Sequence, residues 1–554
     1  MTNDQIADCF SLLSKLMDIH DENSFKIKSY SIAAYNIEKL PAPAIEMSQQ
    51  ELFAQKGIGD STGKKILEII NTGKLDALEE IIARTPPGIL EMLHIKGLGP
   101  KKIGVIWHEL GIESLGELEY ACQENRLVTL KGFGAKTQES VLQNIAYLNQ
   151  NKGYFLWADA HTIAQSIIDS VQKAMPNIRF EMSGALKRQI ETMNVIEFIT
   201  DGERGLVDDF FKALGQLDAV ETSEPSQSRF KMQSIPEVCI YYVSKENFAL
   251  ESLQLSGAED FVAGVSEYIK DTAGIQTEVE LFEKNGIQFI VPALREDKSV
   301  WAKAKANSLP NLIQPGDIKG IIHSHSKWSD GVHSLAEMAS AAMKKGLEYL
   351  VISDHSQSAF YANGLKPERV AEQHAEIDML NQKLVPFKIF KSIESDILND
   401  GSLDYTDSVL STFDLVIASV HSNLKMSEEK AMMRLMNAIE NPYTTILGHP
   451  TGRLLLSRKG YPIDHKAIID ACVKHNVVVE INAHPRRLDL DWRWVEYAME
   501  AGALLSVNPD AHSVEGYKDV YYGVMAAQKG GLTKNRNLSS FSLAELTNYL
   551  KNRG

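Results

Sequence analysis

The sequence predicts a multidomain protein: an all-α region, an α+β layer, and a distorted parallel (β/α)7 barrel. Three observations predict it. A Lys-Gly-apolar-Gly pattern recurs three times among helical periods between Lys56 and Val141. From about Tyr154, short β-rich runs replace those periods. From Gly316 onward, an apolar run, a loop and an amphipathic helix alternate through seven strand-like runs. A chain of 554 residues also exceeds one ordinary domain.

Composition narrows the function classes. Hydrophobic residues make up 44% and charged residues 23%, as in soluble globular chains. No run approaches the ~18 apolar residues of a membrane helix, so no membrane partner is expected. The N-terminal stretch reads as an amphipathic helix and lacks the basic region and cleavage site of a signal peptide. Cys9, Cys122, Cys239 and Cys472 are scattered, with no CxxC pair. That argues for a reducing, cytoplasmic location and against a thiolate zinc site. The net charge of −16 excludes a uniformly basic nucleic-acid footprint. It leaves local phosphate binding open, because backbone N–H groups bind anions without net charge.

The first region carries "KGIGDSTGKKI", "KGLGPKKIGVI" and "KGFGAKTQESV". The glycine pairs Gly57/Gly59, Gly97/Gly99 and Gly132/Gly134 permit tight turns with positive φ and close backbone approach. Each turn leads into a helix whose first N–H groups lack partners. A bare turn between packed helices would explain one copy. Three copies, each led by a lysine (Lys56, Lys96, Lys131), describe helix–hairpin–helix elements that hold DNA phosphates without reading bases. Lys64, Lys65, Lys101, Lys102 and Lys136 add counter-charge. The expected partner is DNA, bound without sequence preference; the sequence names no protein partner.

In the centre, "RFEMSG", "NVIEFIT", "RFKMQSI" and "EVCIYYVS" read as strands, with "HTIAQSIIDSVQKAM" as a helix between them. Hairpin repeats followed by such a layer resemble the bacterial branch of the family X DNA polymerases, over essentially the whole chain. The resemblance implies a nucleotidyltransferase-like palm with a Gly-Ser-x-Arg-Arg turn, then Glu-Thr-Val-Gly-Asp-x-Asp, then a third Asp. Here Gly184-Ala185-Leu186-Lys187-Arg188 stands at the turn and Glu191-Thr192-Met193-Asn194 follows. Val195, Glu197 and Cys239 fall at the three aspartate positions, and Ser256-Gly257-Ala258 at a later Thr-Gly-Ser. Two-metal nucleotidyl transfer needs hard oxygen ligands. Valine offers none and cysteine is a poor one, so the palm is expected to be degenerate. The resemblance also places Lys65 where a deoxyribose-phosphate lyase would carry its Schiff-base lysine.

The last region reads "IKGIIHSH", "EYLVISDH", "FKIFKSIESD", "FDLVIASVH", "TTILGH", "VVVEINA" and "ALLSVNPDAH", with helices between. Such alternation builds a parallel sheet, here a barrel close to the eight-stranded type. His323, His325, His355, Glu394, His421, His449, Asp510 and His512 stand at strand ends, with Asp330 just after the first pair. Parallel barrels gather these ends at one mouth, where active sites lie. Imidazoles and carboxylates converging there point to a multinuclear metal site. The set resembles the PHP (polymerase and histidinol phosphatase) domain, with all nine ligand positions filled. By resemblance, Glu394 and Asp510 bridge ions, His323 and His325 hold one, His421 and His449 a second, and Asp330, His355 and His512 a third. Mixed N/O ligands suit two to three ions of the Zn, Mn or Fe class. Arg453, Arg458 and Arg487 are candidates for phosphate contact. His333, His465, His475 and His484 read as bystanders.

These readings divide the chain into 1–85 (a lyase-like helical domain with the first hairpin), 86–150 (fingers-like), 151–245 (palm), 246–312 (thumb-like region and linker) and 313–554 (PHP barrel). The expected function is that of a DNA-repair phosphoesterase, chiefly a 3′–5′ exonuclease, with abasic-site or 3′-phosphate processing as variants. Three rivals stand beside it: an active repair polymerase with an attached nuclease, a histidinol-phosphatase-like small-molecule phosphatase, and a non-catalytic DNA scaffold.

Overall fold

The computed structural model describes residues 1–123, 127, 130, 132–150, 153–213, 218–220, 226–231, 236–456 and 459–553. The chain forms two compact units, Met1–Lys152 and Gly153–Gly554.

The first unit is all-α. Helix Asn3–Ile19 starts at a capping box in which Thr2 and Gln5 satisfy each other's free N–H groups. Its apolar residues Ile6, Phe10, Leu13 and Met17 follow a helical period, and all four are buried. They share a core with Ile37, Ile66, Ile103 and Ile106. The hairpins recur as local structure. Gly57, Gly97 and Gly132 have φ of +82°, +89° and +88°, which a side chain would strain. The apolar residue between each glycine pair (Ile58, Leu98, Phe133) is buried. Helices Asp60–Thr72, Pro100–Leu110 and Ala135–Gln150 follow directly. Lys131 lies outside the described residues.

The second glycine of each pair departs from the expectation. Gly59, Gly99 and Gly134 do not adopt positive φ. Gly59 (φ −83°, ψ 172°) and Gly99 (φ −75°, ψ 164°) are extended N-caps, a conformation open to any residue. Nor does the chain itself approach these three closely, since a Cβ on any of them would meet nothing within 4 Å. The physical reason is a division of labour. The first glycine makes the reversal, and the second only opens the next helix. Its carbonyl accepts an early helical N–H: Gly63 donates to Gly59 O at 2.8 Å, Ile103 to Gly99 O at 3.1 Å and Gln138 to Gly134 O at 3.1 Å.

The second unit begins with a five-stranded sheet: β1 (Phe180–Met182), β2 (Val195–Thr200), β3 (Asp218–Val220), β4 (Gln227–Lys231) and β5 (Glu237–Tyr242). The order is β1-β2-β5-β4-β3, antiparallel except for β2 beside β5. Helices Trp157–Ala174 and Arg204–Ala213 also belong to this layer. Phe198, Phe180, Phe211 and Phe230 contact one another in that order in its core. Four helices between Phe248 and Lys305 surround the buried Trp301, which stacks on Phe261 and Phe282.

Seven parallel strands follow: β6 (Gly320–Ile321), β7 (Tyr349–Ile352), β8 (Lys388–Asp396), β9 (Leu415–Ser419), β10 (Thr444–Leu447), β11 (Val478–Asn482) and β12 (Leu505–Asn508). They pair in chain order, so neighbours in sequence are neighbours in space. The ends of β6 and β12 meet: His325 donates its N–H to Ala511 O at 2.8 Å, and Ala511 donates to His323 O at 3.2 Å. The barrel is thereby nearly closed. Every residue of β7, β9, β10, β11 and β12 is buried, as in a parallel sheet covered on both faces. Ile322, Tyr349, Phe390, Ile417, Ile446 and Val478 form one core cluster, joined by Leu538 and Leu546 from the C-terminal segment.

Candidate functional site

The barrel brings the nine expected side chains to the C-terminal ends of its strands. Three of them, His323, His449 and Asp510, have positive φ (+63°, +24° and +53°). Non-glycine residues hold such conformations only where the surrounding structure imposes them, a feature of functional sites. Gly331 lets the loop after the first histidine pair turn back, because a Cβ there would lie 2.2 Å from His325 O.

Glu394 is the centre of the set. Five imidazole nitrogens approach its buried carboxylate: His449 Nε2 at 2.9 Å, His355 Nδ1 at 3.1 Å, His323 Nε2 and His421 Nε2 at 3.2 Å, and His325 Nε2 at 3.7 Å. Asp510 Oδ1 lies 3.1 Å from His325 Nε2 and 3.5 Å from His323 Nε2. Asp330 Oδ2 lies 3.4 Å from His512 Nε2 and 3.7 Å from His355 Nε2.

A second layer fixes the rings. Glu480, fully buried on β11, lies 2.6 Å from His323 Nδ1, and its other oxygen accepts the His449 N–H at 3.1 Å. Asp396 lies 2.5 Å from His421 Nδ1. A carboxylate at Nδ1 places a proton there, so Nε2 is the nitrogen turned toward Glu394, where it takes either a second proton or a metal ion. Lone pairs facing a carboxylate repel unless a cation lies between them. His323 Nε2, His325 Nδ1 and Glu394 Oε2 are likewise buried without hydrogen-bond partners. The donor set therefore fits metal ions, and the carboxylate–imidazole pairs follow the usual second layer of such sites. Among the described residues, three groups have their ligand atoms close enough to hold an ion: His325/Asp330/His355/His512, His323/His325/Asp510 and His355/Glu394/His421.

Charge is strongly coupled here. Burial favours a neutral Glu394, but His421, His323 and His355 outweigh it and hold the carboxyl well below its ordinary range. Burial also lowers His421, yet Glu394 and Asp396 raise it to about 10. His325 is pushed down to about 3 by burial and by its neighbours His512 and His355.

Sequence reading missed Glu480, Asp396 and Asp354. Asp354 is wholly buried and accepts from Ser326, Ser329 and Gln373, ordering the loop that carries Asp330. The available signal was a carboxylate inside or at the end of an apolar parallel strand, which must be paired to be buried.

The arginines separate. Arg487 Nε lies 3.8 Å from Asp510 Oδ2, at the mouth. Arg453 is spent on the loop after β11: Nε donates to Arg487 O at 2.9 Å, Nη2 to Leu488 O, and Nη1 pairs with Asp491. Its guanidinium therefore orders residues 487–491. Arg458 lies outside the described residues. His465 stacks on Trp494 with centroids 4.7 Å apart, His475 caps a helix end, and His333 Nδ1 accepts from Val514 N–H. His484 Nδ1 accepts from Arg486 N–H at 3.2 Å, within the loop that carries Arg487.

In the palm-like sheet, Glu197 on β2 pairs in register with Cys239 on β5, and Val195 with Glu237. Glu197 is half-buried. It accepts the Ala185 N–H at 3.2 Å and the Tyr241 hydroxyl at 3.1 Å, and a Cβ on Gly184 would lie 1.6 Å from its Oε2. The buried Cys239 thiol lies 3.3 Å from Gln227 Oε1 and is pushed up to about 11 by burial. The basic turn is neutralised: Lys187 Nζ pairs with Glu278 at 2.8 Å and Arg188 Nε with Glu296 at 3.1 Å.

In the helical unit, Lys65 lies half-buried on the helix after the first hairpin. Lys56, Lys96 and Lys101 are exposed beside their glycines. Gly59, Gly99 and Gly134 are exposed at the helix starts, with open space where a side chain would stand.

Among the described residues, no helix is long and apolar enough to cross a membrane. Residues 1–75 match the helix-hairpin-helix domain, and residues 89–145 a SAM-like helix-hairpin-helix tandem. The chain is similar to a probable phosphatase of Thermoanaerobacter sp. (strain X514), 26% identical over 41% of this chain and 93% of that protein. A probable phosphatase of Escherichia coli O127:H6 is 28% identical over 35% of this chain and 78% of its own length. The DNA polymerase/3′-5′ exonuclease PolX of Bacillus subtilis (strain 168) is 34% identical over 97% of each chain. With likeness at that level along both chains, and with the hairpins, the palm-like sheet and the seven-stranded barrel in that order, this chain belongs to the bacterial PolX family.

Proposed function

We propose that this protein is a DNA-repair phosphodiesterase whose chemistry lies in the barrel and whose palm no longer polymerises. The observation that carries the reading is the convergence of five imidazoles on Glu394, two of them held by buried carboxylates. In this reading His323, His325 and Asp510 would hold one divalent ion, His421 and His449 a second, and Asp330, His355 and His512 a third, with Glu394 near all of them. Zn, Mn or Fe suits such donors. When bound, such ions supply a nucleophile at neutral pH and neutralise phosphate charge. Arg487 offers a planar fork to a phosphate oxygen beside Asp510. The hairpins hold DNA by its phosphates, without sequence preference, through exposed helix starts and their lysines. Gly57, Gly97 and Gly132 shape those turns, while Gly59, Gly99 and Gly134 leave room for a phosphate to reach the helix N–H groups.

The PolX relative carries polymerase and 3′–5′ exonuclease in its name; of these we assign the exonuclease to this chain. Val195 offers no ligand atom, and Glu197 is engaged with Ala185 and Tyr241. Lys187 and Arg188 are already paired with carboxylates, leaving a triphosphate no free basic turn. The division into 1–85, 86–150, 151–245, 246–312 and 313–554 and a cytoplasmic location belong to the same reading. The test offers manganese- or zinc-loaded protein 3′-labelled single- and double-stranded DNA, abasic DNA, 3′-phosphorylated ends and histidinol phosphate. Stepwise loss from the 3′ end, with histidinol phosphate untouched, is the expected result. Turnover of histidinol phosphate alone would overturn it.

A further inference from the structure

In the reading proposed above the palm-like sheet does not polymerise, and its contacts with the barrel offer it another task. Glu191 follows the basic turn and is almost fully buried. Its backbone carbonyl accepts the Trp157 N–H at 3.0 Å, which ties it to the palm helix. Its carboxylate faces the barrel: Trp492 Nε1 donates to one oxygen at 3.0 Å and Arg493 Nη1 to the other at 2.8 Å. Arg493 Nη1 also donates to Asp491 at 2.9 Å. Asp491 pairs with Arg453, and Arg453 Nε donates to the Arg487 carbonyl at 2.9 Å. The side chain of Arg487 then reaches Asp510.

Charges alternate along this path, Glu191, Arg493, Asp491 and Arg453, so each member is held by opposite partners. The path ends on the backbone of the residue that faces the barrel mouth. We propose that Glu191 is a positioning residue for phosphodiester cleavage: through Arg493, Asp491 and Arg453 it holds residues 484–491, and with them Arg487, in place beside Asp510. The inference rests on the barrel being the nuclease and on Arg487 touching phosphate. It gives the palm of that reading a task as a strut. Reactions are sensitive to displacements of about 1 Å in positioning groups, which can cost up to about a hundredfold in rate.

The experiment uses full-length, manganese-loaded protein and 3′-labelled single-stranded DNA. Glu191→Ala should lower kcat about tenfold, while Glu191→Gln, whose single amide oxygen can accept from Trp492 or from Arg493 but not from both, should recover only part of the rate. Arg493→Ala breaks the same path from a half-exposed side chain and should match Glu191→Ala. Hydrogen exchange of amides 484–491, measured without substrate, should quicken in both alanine variants. Because Glu191 acts through Arg487, adding Glu191→Ala to Arg487→Ala should cost nothing further. A wild-type rate in Glu191→Ala, unchanged exchange in the loop, or an equal added loss in the Arg487→Ala background would each overturn the inference. Glu394→Ala is the separate control. If it still cleaves, the barrel reading itself fails; if it is dead while Glu191→Ala is normal, only the positioning role falls.

Discussion

Glu480 and His323 form a fully buried pair, with Oε2 2.6 Å from Nδ1. The carboxylate sets which ring nitrogen carries the proton and so aims Nε2 at Glu394. Asn482 and Asn508 also donate to Glu480, which holds it in place. Glu480→Gln keeps the volume and removes the charge. Metal affinity should fall about 10- to 100-fold, as for other partners of ligating histidines. Metal titration followed by melting of the apo form checks this; an unchanged affinity would count against the role of Glu480.

Glu394→Ala should reach deeper than loss of a ligand to one ion. The barrel rests on its apolar strands, so circular dichroism should stay native. Bound metal per chain and phosphodiester cleavage should both be lost, whereas DNA binding should persist through the hairpins. Cleavage at the wild-type rate with less metal bound would remove the barrel as the active site.

Primer extension with dNTPs and Mg²⁺ or Mn²⁺ should stay at background. Glu197 faces Ala185 and Tyr241, and Cys239 is buried. Template-dependent extension that disappears in Glu197→Ala would show a working polymerase.

Gly97 has φ of +89°, and a Cβ there meets nothing within 4 Å. Gly97→Val therefore tests backbone strain, of about 1–3 kcal/mol, with no clash inside the protein. DNA affinity should drop about tenfold, similarly on unrelated sequences, and should fall with added salt. Gly99→Val is the companion: its extended backbone accepts a side chain without a positive-φ penalty, so a loss of affinity there reports crowding of the phosphate. A sequence-dependent loss or salt-independent binding would argue against phosphate contact.

Acid should weaken the helical region after the palm before it reaches the barrel core. Burial would raise Glu278, but Arg295 and Lys187 outweigh it and hold the carboxyl at about 2, against an ordinary 4.5. A depressed folded pKa gives stability that is full above 4.5 and is lost as pH falls toward 2. The interval corresponds to about 3 kcal/mol. Urea midpoints from pH 6 to pH 3 should fall less steeply in Glu278→Gln than in wild type. Parallel slopes would show that the pair contributes no such pH dependence.

Local rules were enough for much of this protein. The Lys-Gly-apolar-Gly pattern marks its turns wherever it occurs, and helical and strand periods mark the elements. Which glycine of a pair takes the positive φ was not legible, because Gly57 and Gly59 are the same residue type until the helix starting at Asp60 fixes the second as its cap. A parallel barrel sends every strand end to one mouth, so eight polar residues at those ends, with Asp330 just beyond one of them, could be read as one group before any coordinates. What a side chain does once there depends on partners distant in sequence. Asp396 and Glu480 look alike from the sequence, each an acid on an apolar strand. Only the order of the sheet puts one behind His421 and the other behind His323. Arg453 and Arg487 are both arginines near strand ends, yet folding of the 487–491 loop consumes one guanidinium and leaves the other beside Asp510. Lys187 and Arg188 stand at the basic turn of the family's palm, yet in the fold Glu278 and Glu296 pack against them. Buried charge must find a counter-charge, but which one it finds is decided by the packing of whole layers, as when Glu191 of the palm meets Arg493 of the barrel.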